Sequence, residues 1–422
     1  EGLRLARTGA CACVVLAGGQ GTRLGFDGPK GCLELEELLS RATLFALLAQ
    51  RLKRLGELAA SSASNTDQQH PLLLVMTSKT NAEATRSYFR DAEYFALDPE
   101  RVKFFDQATL PALDFVSGDA YDAAFPRVVM ASGTEVAVAP DGNGGVYRAL
   151  KDSGILAECR QQNVAYVHVL SVDNALSKPC DPVFLGYASL RKAAAASKTV
   201  TKRDPSEKVG VLARVDGKCG VVEYSELPKE LAERRTPDGR LVFRAGNVCN
   251  HALSLEFLET AAAVPGQTTA LSSWSFHAAR KKVPRADPDA LTDASAPAAP
   301  NAVKLEAFIF DAFALADDHL ALEVDRDDDF APVKNKDGAD SPATAVHALL
   351  QRGAAWLRAA GAEVRGDCGV EVPAAIALDA ADLLSRGGDT TSSEEGEAPL
   401  RGVVIDASTA PVLLTTSMLQ QK

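Results

Sequence analysis

The stretch Leu16–Gly31, LAGGQGTRLGFDGPKG, constrains this chain more than any other. It follows Cys11–Leu16, an apolar run with the length and composition of a short buried strand, so the glycines leave the C-terminal edge of a sheet. That edge is where open α/β sheets bind ligands. Gly18, Gly19, Gly21 and Gly25 lack a Cβ, which lets the backbone bring several N–H donors against a phosphate chain. Arg23 and Lys30 add positive charge to the same loop.

Several phosphate-binding motifs are excluded by spacing. A P-loop requires Ser or Thr after its Lys, and Lys30 is followed by Gly31. A dinucleotide fingerprint places its third glycine three residues after the second and an acid after the next strand. Here Gly25 lies four residues beyond Gly21, and the strand read over Pro71–Met76 ends in Thr77, Ser78 and Lys79. A kinase glycine loop lies between two strands. The pattern that remains is GGxGTRLx(n)PK, that of nucleotidyltransferases.

A chain of 422 residues can bury a large core, and 46% hydrophobic with 24% charged residues is ordinary for a globular protein. A net charge of −11 argues against a general nucleic-acid partner. An acidic protein that handles a polyphosphate must gather its cations locally or recruit a divalent metal. No apolar run reaches the roughly eighteen residues of a membrane span. The eight cysteines form no CxxC pair and are expected to be reduced thiols of a cytoplasmic protein, without a zinc site. Oligomeric state leaves no signature.

Strand and helix signals alternate. Thr43–Leu58 and Asn81–Phe89 have helical spacing, while Leu72–Ser78, Val102–Gln107 and Val164–Val172 read as strands, so a largely parallel sheet is expected. Ser61–Gln69, Ser117–Phe125 and Ala286–Ala302 have loop composition, and Gly387–Pro399 is low-complexity. In Val138–Leu150, VAPDGNGGVYRAL, the glycines run into a helix beginning near Val146, which favours an anion or base site over a plain turn. Asp173 and Asn174 close the Val164–Val172 strand, where a carboxylate could hold Mg²⁺ or could cap a helix. His168, mid-strand, reads as a satisfied core residue.

Further on, Lys208–Arg214 and Gly220–Glu226 alternate like a hairpin around Asp216 and Gly217. Phe243–Leu253 carries Gly246, Asn247 and Asn250 among apolar neighbours, and such amides suit a polyol ligand. His277–Lys282 reads as a solvated helix face, and Lys304–Phe313 as a strand or helix that period does not decide. Asp325–Lys334, DRDDDFAPVK, reads as a mobile surface loop. Gln351–Ala360 is helical, and Leu400–Ile405 with Val412–Thr415 suggest a small C-terminal β unit.

Taken together, LAGGQGTRLG, PKG, MTS, LPAL, APDGNGGVYRAL, VDN, VVEYSE, DGRLVFRAGN, HAARKKVP, FIFDAF and FAPVKN resemble the eukaryotic UDP-N-acetylglucosamine pyrophosphorylases, over most of Ala10–Leu350. The resemblance implies a glycosyltransferase-A-like, Rossmann-like α/β domain with a mixed, mostly parallel sheet. Its expected extent is residues 11–340, with 1–10 a remnant of an N-terminal domain and 341–422 a small β-containing domain. It implies the reaction of UTP with N-acetylglucosamine 1-phosphate to give UDP-N-acetylglucosamine and pyrophosphate, with Mg²⁺ or Mn²⁺.

By motif, the resemblance assigns the uridine to Leu16, Gly18, Gly19, Gln107, Gly142 and Asn143, the departing pyrophosphate to Arg23 and the α-phosphate to Lys30. It assigns the metal to Asp173, the N-acetylhexosamine to Gly210, Glu223 and Asn247, and the sugar phosphate to Lys334. The chain departs from the family at Gly28, where relatives carry an aromatic residue, at Asp106 and Ala108 beside Gln107, and in the length of the segment after Gly31. Three other readings compete: a UDP-N-acetylgalactosamine, UDP-glucose or broad UDP-sugar specificity, an inactive UDP-sugar-binding homologue, and, more distantly, a dehydrogenase.

Overall fold

The computed structural model describes residues 1–61, 70–114, 127–264, 276–286, 297–386 and 400–420. The loop expectations for 62–69, Ser117–Phe125, 287–296 and Gly387–Pro399 lie outside these residues. A nine-stranded mixed sheet organises the chain. Its first strands are β1 (Cys11–Leu16), β2 (Leu72–Thr77), β3 (Val102–Asp106), β4 (Tyr166–Ser171) and β5 (Ala195–Thr201). The hairpin β6 (Val211–Val215) and β7 (Lys218–Val222) follows, then β8 (Ala245–Ser254). Strands β9 (His277–Lys281) and β10 (Ala302–Glu306) form a separate small sheet with Leu113–Asp114, and β11 (Leu320–Glu323) returns to the edge beside β5.

Strands β4, β1, β2 and β3 are neighbours and run parallel. The run CACVVL is buried at every position because both faces of β1 are covered. Period-two alternation divides it: Cys11, Cys13 and Val15 face a core with the helix Leu44–Ser61, and Ala12, Val14 and Leu16 face one with Val146–Asp152 and Leu255–Ala263. Strand β8 is antiparallel to β4 and β5. His168 Nε2 donates to Asn250 Oδ1 at 2.5 Å, and its Nδ1 has no partner, so this core histidine is half satisfied. All eight cysteines are free thiols.

A third core, drawn from residues 354–383 and 400–419, forms on the helix Pro342–Ala359 and two short parallel strand pairs. The Arg54–Asp382 ion pair at 2.6 Å ties it to the helix Leu44–Ser61.

Three expectations need correction. His277–Lys282 is not a helix face: His277–Lys281 is β9, paired antiparallel with β10. Lys304–Phe313 is two elements, the end of β10 and then a 3₁₀ helix, Ile309–Leu315, so no single period exists. Asp325–Lys334 is not a mobile loop. Arg326–Asp329 is a helical turn, and Asp329, Ala331, Pro332 and Val333 are buried. Asp325 and Asp327 are exposed, but Asp328 and Asp329 neutralise buried lysines: Lys198 Nζ lies 2.6 Å from Asp181 and 2.5 Å from Asp329, and Lys178 Nζ 2.7 Å from Asp328.

Candidate active site

Because β4, β1, β2 and β3 run parallel, the segments after all four emerge along one edge. They deliver the glycine loop, Asn81, Gln107 and Asp173 to the same place, the location expected for a ligand on an open α/β sheet. A cleft of about 280 Å³ opens there, lined among others by Leu16, Gly18, Gly19, Lys30, Gln107, Gly142, Asn143 and Asp173. A larger hollow of about 660 Å³ lies at the opposite end of β4, around Val164–Tyr166 and Ser254–Phe257. None of the residues singled out by motif lines it, so the smaller cleft is the candidate.

The glycine loop closes on itself through backbone bonds. Gly21 N donates to Gly28 O at 2.9 Å and Lys30 N to Gly19 O at 3.1 Å. Gly31 packs flat under Phe45, whose ring would stand 2.2 Å from a Cβ there. The loop is therefore closed despite the departure at Gly28, and it presents Lys30 Nζ 3.4 Å from Asp173 Oδ2, with each side chain 18% exposed. That separation is long for a committed ion pair and leaves both groups available to a ligand. Arg23 sits on the exposed 3₁₀ turn Thr22–Leu24 and does not line the cleft.

Gly18 is needed for close approach, since a Cβ would stand 2.0 Å from Gln107 Oε1. Gly18→Ala is expected to keep its fold, because the far end of Gln107 can swing away, and to raise KM for the nucleotide about tenfold or more, equal to losing one good hydrogen bond. Steady-state kinetics on the folded variant checks this, and an unchanged KM would remove Gly18 from the base site.

Behind this wall, Asn81 is buried and donates from Nδ2 to Ala17 O at 2.9 Å and Gly19 O at 3.3 Å, while its Oδ1 accepts from Ser78 N at 2.8 Å. Sequence reasoning placed Asn81 only at a helix start. Its position three residues after Ser78 was the available signal.

Gly142 takes φ +93°, and its missing side chain is replaced by Ala307 O, which would stand 2.2 Å from a Cβ. Asn143 Oδ1 accepts from Ile309 N at 2.9 Å. The APDGNGG turn is thereby backed by the segment Ala307–Ile309.

The residues assigned to the sugar gather on the β6, β7 and β8 side. Gly210 O accepts from Asn247 N at 2.8 Å, and a Cβ on Gly210 would meet Glu223 Oε1 at 3.0 Å. Asn247 Oδ1 accepts from Cys249 N, where a bulge gives Cys249 a φ of +52°. Burial pushes the Cys249 thiol up to about 12, with Asp173 and Glu223 raising it further and Lys334 opposing them. Burial also raises Glu223, with Glu226 adding to it and His277 and Lys334 pulling the other way. Lys334 follows a segment stitched to the end of β4: Val333 N donates to Asp173 O at 2.9 Å, and Asn174 bonds Ala331 N and Asp329 O.

His277, read from sequence as part of a basic patch, instead bridges Glu226 and Asp311, 3.1 Å from each. Its bond to Asp311, then that to Glu226, push the imidazole up to about 9 against burial. A folded value above the ordinary 6.5 adds stability that is whole below about pH 6.5 and is lost as pH rises through about 9. The melting temperature of His277→Gln should therefore trail the parent near pH 6 and converge on it by pH 10. A constant gap across that range would contradict the bridge.

Residues 7–350 match the family model of UTP–glucose-1-phosphate uridylyltransferase. The chain is 41% identical over 371 residues to a Xenopus tropicalis UDP-N-acetylhexosamine pyrophosphorylase-like protein 1, covering 87% of this chain and 69% of the relative. It is 36% identical over 414 residues to the Saccharomyces cerevisiae UDP-N-acetylglucosamine pyrophosphorylase, covering 96% and 80%. Among solved structures, a putative UDP-N-acetylglucosamine pyrophosphorylase from Entamoeba histolytica superposes with a TM-score of 0.82 at 29% identity, covering 98% of this chain and 95% of that one. The family match over most of the chain and these relatives show that the chain belongs to the UTP–glucose-1-phosphate uridylyltransferase family, in its eukaryotic UDP-N-acetylglucosamine pyrophosphorylase branch.

Proposed function

We propose that this chain is a uridylyltransferase that makes UDP-N-acetylglucosamine and pyrophosphate from UTP and N-acetylglucosamine 1-phosphate. The observation that carries the reading is the approach of Lys30 to Asp173 at 3.4 Å on the floor of a cleft walled by Gly18, Gly19 and Gln107. A phosphate oxygen of the sugar phosphate attacks the α-phosphorus of UTP in line. The new P–O bond forms as the bond to the pyrophosphate breaks, and no protein nucleophile is required. The protein's task is to hold two polyanions together. Lys30 takes the α-phosphate, Lys334 the sugar phosphate, and Arg23, exposed on the glycine loop, the leaving pyrophosphate. Gly210, Glu223 and Asn247 orient the sugar.

The donors present suit a magnesium ion. Among the described residues no group of three or more His, Cys, Asp or Glu side chains could hold a metal alone. A single carboxylate, Asp173, completed by substrate phosphates is the arrangement Mg²⁺ prefers. Bound there, the ion supplies neutralisation of charge on the α-phosphate. The eight free thiols favour a reducing, cytoplasmic setting, and no described helix is long and apolar enough to cross a membrane.

Pyrophosphate release from UTP and N-acetylglucosamine 1-phosphate, with and without Mg²⁺, tests reaction, acceptor and metal together. The galactosamine and glucose 1-phosphates as parallel acceptors decide the specificity. Release with none of them, alongside tight UDP-sugar binding, would make the chain a binding protein instead.

A further inference from the structure

The helices Leu44–Ser61 and Pro342–Ala359 each place one arginine in the core, Arg51 and Arg352, 5% and 7% exposed. Arg51 Nη1 donates to Ala175 O at 2.6 Å and Ser177 O at 2.8 Å, and Arg352 Nη1 donates to Leu176 O at 2.9 Å and Asp328 O at 3.0 Å. Three successive carbonyls therefore hold both guanidinium groups beside one short segment. Among the described residues, nothing accepts from Nε or Nη2 of either arginine, and neither forms an ion pair with a carboxylate. The Asp328 carboxylate is committed to Lys178 Nζ at 2.7 Å and Trp356 Nε1 at 3.1 Å.

Backbone carbonyls alone do not call for a charged partner. A neutral amide would satisfy them, whereas a buried cation without a counter-charge carries a heavy desolvation penalty. Burial pushes Arg51 well below its ordinary range, with the charge of Arg352 adding to the effect and Asp328 opposing it. Two buried cations with donors to spare are the makings of an anion site.

Both arginines line one small cavity of about 50 Å³, set between those two helices and residues 371–377. Trp356 forms part of its wall, with the ring centroid 4.8 Å from the Arg352 guanidinium carbon. One carboxylate, Glu371, also lines it, and its Oε2 accepts from Ser40 N at 3.1 Å. Two guanidinium groups against that single carboxylate leave the cavity with net positive charge. A water needs roughly 10–15 Å³ of such space, so the cavity takes about four or five heavy atoms and excludes a nucleotide. An oxyanion of that size matches the guanidinium fork, which offers parallel N–H donors to two oxygens at once. We infer that this cavity binds a small tetrahedral oxyanion, inorganic phosphate or sulfate, through the Nε and Nη2 groups of Arg51 and Arg352. It shares no lining residue with the nucleotide cleft, so the inference does not depend on the reaction assigned there.

The test is calorimetric titration of the full chain with sodium phosphate and with sodium sulfate at constant ionic strength, sodium chloride serving as the control, and melting temperatures in the same solutions. The parent should bind one oxyanion per chain and melt higher with the oxyanion than with chloride, and binding of only one of the two identifies the ligand. Saturating UTP should leave this binding in place. Arg352→Gln keeps an amide for the two carbonyls and removes the charge, while Ala374→Leu fills the cavity and leaves both arginines. Each should weaken oxyanion binding about tenfold or more, the worth of a charge-assisted hydrogen bond, with UTP binding unchanged. An absence of saturable binding by the parent, equal stabilisation by chloride, displacement by UTP, or parent affinity in either folded variant overturns the inference. Should Arg352→Gln unfold, the parent titrations and Ala374→Leu decide.

Discussion

Replacing Lys30 with alanine lowers kcat for pyrophosphate release by about two to three orders of magnitude, equivalent to roughly 3–4 kcal/mol of lost transition-state stabilisation, with the fold retained. The magnitude follows from the surroundings of Lys30: a cation in a walled cleft, 3.4 Å from the carboxylate assigned to the metal, where charge on the transferring phosphoryl group develops. Folding survives because the loop is held by its backbone and by Gly31 under Phe45, none of which involves the lysine beyond its Cβ. Lys30→Arg keeps the charge in a wider, planar group and should recover only part of the rate. Single-turnover kinetics at saturating UTP, with circular dichroism as the control, decides the matter. Wild-type turnover in the alanine variant would remove Lys30 from the chemistry.

The largest stability effect is expected at Lys198, in the core. Lys198→Met should lower the unfolding free energy by about 3–5 kcal/mol, since removing one member of a buried ion cluster strands the others. The lysine is 2% exposed at the side chain and is bonded to Asp181 and Asp329. Burial pushes the Asp181 carboxyl up, but Lys198 and then Lys178 more than offset it and hold the group at about 2. Its stabilisation is therefore present above about pH 4 and lost as pH falls through about 2, and the variant should lose this acid dependence. Urea unfolding at pH 7 and pH 3 measures both effects, and a loss of unfolding free energy smaller than about 1 kcal/mol at pH 7 would contradict the cluster's role.

The same variant should weaken turnover although Lys198 touches no substrate. Asp329 anchors the start of the segment that carries Lys334, and Asn174, next to Asp173, bonds both Asp329 O and Ala331 N. Loss of the buried charge loosens Lys334 and Asp173 together. A Lys198 variant with reduced stability and fully normal kcat would separate core from cleft.

Much of this was legible along the chain. Strands β1 to β4 were readable because a fully buried parallel strand is a short apolar run, and CACVVL and LLLVMT are such runs. The glycine loop, Asp173 and the APDGNGG turn stood out because a tight backbone approach demands glycine and a strand end often carries a polar residue, whereas Gln107 was singled out only by the family resemblance. These are local demands, written within a few residues of where they apply.

What only the tertiary structure decided involves partners far apart in sequence. Asp328 and Asp329 read as part of a surface loop because their cations, Lys178 and Lys198, stand about 130–150 residues away. Likewise, His277–Lys281 could not be recognised as a strand without β10, nor His277 as a bridge without Glu226 and Asp311. A backbone conformation is a property of neighbouring residues, so the chain itself determined it; charge compensation and strand register belong to pairs brought together only by folding, and no single segment carries their signature.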